Sequence, residues 1–331
     1  MSEKVVVIGS NSFSGAWFCA HALEQGLDVA GLSRSPEPGN AFLPYRWKPD
    51  AKGKFQFHQL DLNLHTREIA ALVNDLRPEY VVNFAAQGMV AQSWEHPLHW
   101  YQTNVMANVA LHDELRKFTW LKKYVHVSTP EVYGSTSGVI KEDAPYNPST
   151  PYAASRAACD LHLRTFFQRY NFPWTFTRSA NVYGAGQQLY RIIPRTILFI
   201  KLGKKLPLHG GGHSVRSFIH IRDVAEATLR VAREGVPGSG YHLSTDRFIS
   251  IRDLVEMICV SLGVRFADVA EITDDRPGKD AAYLLDATRA RTTLGWRDRV
   301  TLEEGVAETV RWVEEYFDYL KAQPHDYIHK P

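Results

Sequence analysis

The feature that most constrains this chain is an alternation. Short apolar runs of strand length take turns with longer stretches of helical period through the first half of the sequence. A strand at Val5 to Ile8 leads into a helix reaching Gln25, and strands at Asp28 to Leu32 and Phe55 to Leu60 follow. A helix to Arg77 and a strand at Tyr80 to Ala86 come next. Parallel strands cannot be joined by a tight turn and need a crossover, so the pattern predicts βαβ units and an α/β fold of the Rossmann type, a doubly wound parallel sheet. Two long helical patterns, Leu98 to Phe118 and Tyr152 to Tyr170, flank a further strand that ends before Ser128. After a strand at Trp174 to Thr177, glycine and proline punctuation marks a change of character. We therefore expect a dinucleotide-binding domain over residues 1–180. A smaller α/β lobe would be built from 181–217 and 249–331, with the segment of about 218–248 returning to the first domain.

The first strand runs straight into Gly9-Ser-Asn-Ser-Phe-Ser-Gly15, which opens a helix. A strand, a glycine turn and a helix N-terminus present backbone N–H groups to a pyrophosphate, so this is the expected docking place of a dinucleotide. Ser12 stands where a middle glycine is usual. At the end of the second strand, Ser33 and Arg34 replace the acidic residue that would hold a free ribose 2′-hydroxyl. Arg34 could pair with a 2′-phosphate, which favours NADP over NAD, although an arginine in a loop is as readily a solvated surface residue.

A second constellation follows the strand K-Y-V-H-V. It reads S-T-P-E-V-Y-G from Ser128 and P-Y-A-A-S-R from Pro151. Tyr152 and Arg156, at i and i+4, share one helix face, so the cation is expected to hold the phenol near its ionised form. Glu131 falls just past the strand's C-terminal end, where open α/β sheets place their ligands.

Composition narrows the partners. The 331 residues are 44% hydrophobic, with 38 basic and 36 acidic residues and a net charge of +2, enough for a full core and too balanced for a nucleic-acid or membrane surface. Three cysteines, Cys19, Cys159 and Cys259, are too few and too scattered for a disulfide framework, which fits a cytoplasmic setting. No secretory leader and no apolar run of spanning length is read from the sequence. The pairs His96 with His99 and His209 with His213 lack cysteine or glutamate at zinc spacing, so no metal is expected.

These motifs together resemble the extended short-chain dehydrogenase/reductases, and among them the nucleotide-sugar 4,6-dehydratases acting on dTDP-glucose or GDP-mannose. The resemblance runs nearly end to end: N-F-A-A at Asn83, T-P-E-V-Y-G at Thr129, P-Y-A-A-S-R at Pro151, R-S-A-N-V-Y-G at Arg178, R-S-F-I-H at Arg216 and D-R-P-G-K-D at Asp275. It implies a cytoplasmic homodimer joined through the two long helices, holding a recycled NADP or NAD and a hexose on a nucleoside diphosphate. Carried onto this chain, Gly9, Ser12, Phe13, Gly15, Ser33, Arg34, Asp61, Leu62, Ala85, Tyr152 and Arg156 would face the cofactor. Tyr152 would take the 4-hydroxyl proton, Glu131 the C5 proton, Thr129 would bond the reacting oxygen and Ser128 would support the site. Ser93, Asn181, Arg191, Arg216 and Arg276 would hold the substrate.

Two positions depart from the pattern. Pro130 stands where the dTDP-glucose enzymes carry Asp, and Arg156 where the family has Lys, an exchange that changes donor geometry and bulk. A 4-epimerase needs Tyr152 but no C5 base, so T-P-E and D-R-P-G speak against it. A uronic acid decarboxylase also carries a Glu after this strand, and stays the other alternative.

Overall fold

The computed structural model describes residues 2–48, 50–136, 138–274 and 284–331. Seven strands make its central sheet: β1 (Lys4–Ile8), β2 (Asp28–Ser33), β3 (Phe55–Gln59), β4 (Tyr80–Asn83), β5 (Lys123–Val127), β6 (Trp174–Ser179) and β7 (Ser239–Leu243). All pairings are parallel, in the order β7-β6-β5-β4-β1-β2-β3. The order reverses beside β1, and that crevice at the strands' C-terminal ends is where such sheets bind ligands.

Helix α1 (Phe13–Glu24) covers one face together with a helix from much later in the chain, Ile221–Glu234; Phe18, Ala22, Val224 and Ala227 share one fully apolar cluster. On the other face Ile69, Leu111, Leu115 and Leu163 pack on Val6, Val81 and Tyr124. These come from α2 (Thr66–Leu76), α3 (Asn108–Leu115) and α4 (Pro151–Tyr170). Each such fully buried aliphatic or aromatic side chain contributes about 1.5–3 kcal/mol.

The helix expected over Leu98 to Phe118 is broken. A short helix at Pro97–Tyr101 widens into a π-helical turn at Gln102–Ala107 before α3 begins. The cause is Asn108, whose side-chain amide donates back to the carbonyls of Thr103 (2.9 Å) and Asn104 (3.4 Å), and such bulges gather at functional sites. The strand expected to Ala86 stops at Asn83, because the Asn83 Oδ1 accepts from the Ala85 amide at 2.9 Å and turns the chain out of the sheet.

Beyond β6 the chain builds a three-stranded sheet. Asn181–Tyr183 runs parallel to Val215–His220, which is antiparallel to Phe248–Ser250. Helix α5 (Ile192–Lys201) and the helix Leu302–Glu315 bury Ile193, Ile197, Val306 and Trp312 in a core of their own.

Candidate active site

The turn after β1 is shaped by two glycines. Gly9 has φ +85°, and a Cβ there would lie 2.8 Å from the Ala85 nitrogen; at Gly15 it would lie 2.2 Å from the Gly9 carbonyl oxygen. Neither position tolerates a side chain, so the loop lies tight against β4 and against the start of α1. Ser12 caps α1: its hydroxyl donates to the Gly9 carbonyl (2.7 Å) and accepts from the Gly15 amide (3.1 Å). The serine in place of a glycine is thus built into the turn, with Phe13 buried behind it. Ser33 Oγ accepts from the Asn11 amide at 3.0 Å. After β3, Asp61 holds the next turn by accepting from the Asn63 amide at 2.7 Å, while Leu62 is buried. This side-chain-free cradle at a helix N-terminus fits a dinucleotide pyrophosphate.

Arg34 does not point into open space. Its Nη2 donates to the Lys330 carbonyl at 3.2 Å and its Nη1 to the Pro331 carbonyl, so the donors expected to meet a 2′-phosphate are engaged by the C-terminal segment.

At the end of β5, Thr129 caps a one-turn 3-10 helix at Pro130–Tyr133, and its hydroxyl accepts from the Glu131 amide at 3.3 Å. Pro130 suits the first position of that turn, where an N–H would go unused. Thr150 caps α4 in the same manner, placing Tyr152 in its first turn. Tyr152 hydrogen-bonds Thr129 and feels the charge of Glu131, so the three groups meet at one point. The expectation that a cation holds the phenol near ionisation needs correcting. Burial, and then Glu131, push the Tyr152 hydroxyl above its ordinary value, and Arg156, Thr129 and Arg191 pull it back only in part.

Arg156 itself is 1% exposed and turned toward the sheet. Its Nη2 donates to the Val127 carbonyl and to His126 Nε2 at 3.2 Å, while Nε and Nη1 have no hydrogen-bond partner among the described residues. His126 must therefore be a neutral acceptor, and burial followed by Arg156 holds its pKa well below the usual value. Ser128 Oγ donates to Asp160 Oδ2 at 2.7 Å, and Asp160 pairs with Arg178 at 2.7 Å.

The residues expected to hold substrate are spread more widely. Ser93 is fully buried and its hydroxyl donates to the Val90 carbonyl at 2.6 Å, so it braces its own short helix. Asn181 opens the first strand of the small sheet; Arg191 is exposed at the start of α5 over the Tyr190 ring; Arg216 is buried in the middle strand. Arg276 and the D-R-P-G-K-D segment lie outside the described residues. Of the two histidine pairs, His209 bonds Thr273 and Asp274 through Nδ1, at 3.0 and 3.2 Å, and His96 stacks on His99. Among the described residues, His112, His126 and Cys159 bring three donor atoms within 4.8 Å. They read as core, because Tyr124 and Arg156 engage the histidines and a guanidinium beside them repels a cation.

Asn104 was missed from sequence. In the π-helical turn its side chain accepts from the Gln87 amide (2.8 Å) and donates to the Gln87 carbonyl (3.1 Å) and to Ser155 Oγ (2.9 Å), tying the loop after β4 to the helix of Tyr152. A polar residue inside an apolar helical pattern was the available signal.

A family model described as GDP-mannose 4,6 dehydratase matches residues 6–309. The dTDP-glucose 4,6-dehydratase of Xanthomonas campestris pv. campestris is 32% identical over 93% of this chain and 92% of its own length; that of Neisseria meningitidis serogroup B is 30% identical over 94% and 93%. Among solved structures, a dTDP-glucose 4,6-dehydratase of Streptomyces venezuelae with NAD bound superposes with a TM-score of 0.86 at 29% identity, covering 96% of this chain and 98% of that one. The Bacillus anthracis enzyme, also in complex with NAD, gives 0.85 at 27% identity, covering 97% and 99%.

Proposed function

Because the chain belongs to the GDP-mannose 4,6 dehydratase family and is a nucleotide-sugar 4,6-dehydratase using NAD(P), we infer that Tyr152, Thr129 and Glu131 carry its chemistry. The observation behind this is their convergence at the end of β5, where Tyr152 hydrogen-bonds Thr129 and senses Glu131. The bound nicotinamide would supply a temporary place for the C4 hydride and return it at C6. Tyr152 takes the proton of the sugar 4-hydroxyl, with Thr129 bonded to the same oxygen. A ketone at C4 acidifies the C5–H, so a carboxylate suffices as base, and Glu131 removes that proton. The C6 hydroxyl leaves as water. Pro130 has no proton to offer, so Glu131 gives the proton it took to the departing C6 hydroxyl, and C5 gains a solvent-derived proton as the hydride arrives at C6; each such transfer is worth about 10² to 10⁴ in rate. Arg156 acts on Tyr152 through its charge, since it lowers the phenol's pKa while bonding β5. Arg191 and Arg216, with Asn181, face the diphosphate from the second lobe.

The product is a 4-keto-6-deoxy sugar. Incubation with GDP-, UDP-, dTDP- and CDP-hexoses, followed by the absorbance of 4-keto products in alkali, identifies the nucleotide. In deuterated water the product gains deuterium at C5 while the C4 hydrogen reappears at C6. Glu131→Gln binds nucleotide but eliminates no water; normal dehydration by that variant would overturn the assignment.

The cofactor reading shifts from NADP to NAD. The NADP preference rested on Arg34 alone, and the solved dehydratases named above hold NAD. Mass spectrometry of the denatured supernatant decides, with excess NADP reversing the choice. We also read the protein as a homodimer: Leu98 (79% exposed), Met106 (60%) and Leu161 (49%) display apolar surface on the two helical segments expected to pair. A monomer mass by light scattering at micromolar concentration would remove that reading.

A further inference from the structure

The C-terminal segment leaves the second lobe and crosses to the first. Asp326 pairs with Arg195 of α5 at 3.0 Å, and the Tyr327 ring meets Tyr190 edge to face at 5.5 Å. His329 then enters the first lobe, where it lies flat against Trp100 (5.1 Å between ring centroids) and shares a hydrogen bond of 2.8 Å with His99 Nδ1. Its last contacts fall on the dinucleotide cradle. The Lys330 carbonyl oxygen accepts from Gln87 Nε2 at 2.6 Å and from Arg34 Nη2 at 3.2 Å.

That single oxygen has a topological meaning. Arg34 follows β2 and Gln87 follows β4, and these two strands flank β1 on either side. One atom bonded to both therefore bridges the C-terminal end of β1, above the Gly9 turn. Sharing an acceptor leaves the two nitrogens no more than about 6 Å apart, with the carbonyl between them. A nucleoside cannot pass through a gap that narrow and already filled.

We propose that residues 325–331 form an autoinhibitory strap docked across the dinucleotide's path, which the cofactor must displace in order to bind. The proposal rests on reading the Gly9 turn as the dinucleotide site. The strap is held by groups outside that turn: Tyr190 and Arg195 on one lobe, Trp100 and His99 on the other. It can therefore peel from Arg34 and Gln87 while staying attached to the second lobe through Asp326. The apparent affinity for NAD falls by the fraction of molecules in which the strap is open.

The test compares the apoprotein of residues 1–331 with a chain ending at Pro324 and with the double variant Tyr327→Ala/His329→Ala, the latter in case truncation perturbs folding. Calorimetric titration with NAD should show affinity rising about tenfold in both. In the untruncated protein, hydrogen exchange over residues 325–331 should speed up when NAD is added. Unchanged affinity, or a loss of affinity with slower exchange, would overturn the proposal, the second outcome because it describes a clasp over bound cofactor. Gly15→Val in the truncated chain separates the two readings. It should abolish NAD binding, and if it does not, the cradle assignment fails whatever the strap does.

Discussion

Two buried arginines act on His126 beneath the candidate active site, and they are handled in opposite ways. Arg178, on β6, is 1% exposed and has a counter-ion: Nη2 pairs with Asp160 and also donates to Tyr146 OH, Nη1 donates to Tyr133 OH at 2.7 Å, and the guanidinium lies over the rings of Tyr133, Tyr146 and Phe176, leaving only Nε without a partner among the described residues. Arg156, on α4, is equally buried, yet among the described residues no carboxylate pairs with it. Among the described residues, a carbonyl and a neutral histidine are its only hydrogen-bond partners, and two of its nitrogens have none. A buried charge without a counter-ion is costly to keep. On the proposed function, the difference teaches that Arg178 serves the fold, whereas Arg156 would store an uncompensated field beside Tyr152, to be compensated when the phenol ionises.

The most severe way to break this comparison is Arg156→Ala. Turnover should fall by roughly 10³ to 10⁴, about 4–5.5 kcal/mol, because the opposing charge is gone from a phenol already raised by burial. The urea midpoint should hold; a collapse in stability with residual turnover intact would make Arg156 structural after all. Next comes Asp160→Asn, which strands Arg178 and should cost about 3–5 kcal/mol in urea unfolding. A cost under about 1 kcal/mol would erase the distinction between the two sites.

A third expectation concerns acid. His126 beside Arg156 and His242 beside Arg178 are both held neutral by burial, His126 well below the usual value and His242 down to about 3. Their unfolded counterparts titrate near 6.5, so between the folded and unfolded values the unfolded chain takes a proton that the folded one refuses. Stability is complete above about pH 6.5 and should fall below it by roughly 1.4 kcal/mol per pH unit for each histidine. Urea midpoints from pH 8 to 5 measure the slope, and His126→Leu should flatten it. The smallest effect belongs to Arg156→Lys. It keeps the charge but loses the forked donor geometry, so activity should drop by no more than about tenfold with a displaced pH profile. A loss as deep as that of alanine would mean that hydrogen-bond geometry, and not charge, is what Tyr152 needs.

The sequence disclosed the sheet because βαβ alternation is a local signal repeated many times. Its glycine turn was equally readable, since Gly9 and Gly15 answer to backbone clearances that no other residue satisfies. The meeting of Tyr152, Thr129 and Glu131 followed from motif spacing around one strand and one helix. What stayed hidden depended on side-chain direction. The i, i+4 spacing placed Arg156 on the face of Tyr152 but could not show that its guanidinium turns back onto β5, nor that burial outweighs it on the phenol. Arg34 was hidden for a related reason, because its partners lie almost the whole chain length away. The π-helical turn escaped because Asn108 bonding backward is a tertiary choice that periodicity averages out.

The path of the chain between its two sheets has a practical outcome for anyone wishing to exchange specificities among relatives. Val215–His220 and Phe248–Ser250 are neighbours in the small sheet, yet β7, which lies between them in sequence, is the edge strand of the large one. A fragment cut out from residue 181 onward would carry away that edge strand and the helix Ile221–Glu234 that covers α1. The remaining half would be left with an open β6 and a bare apolar face. Recombination at a single junction is thus ruled out by architecture. New sugar or nucleotide preferences have to be introduced as point changes, or as several short grafts placed together.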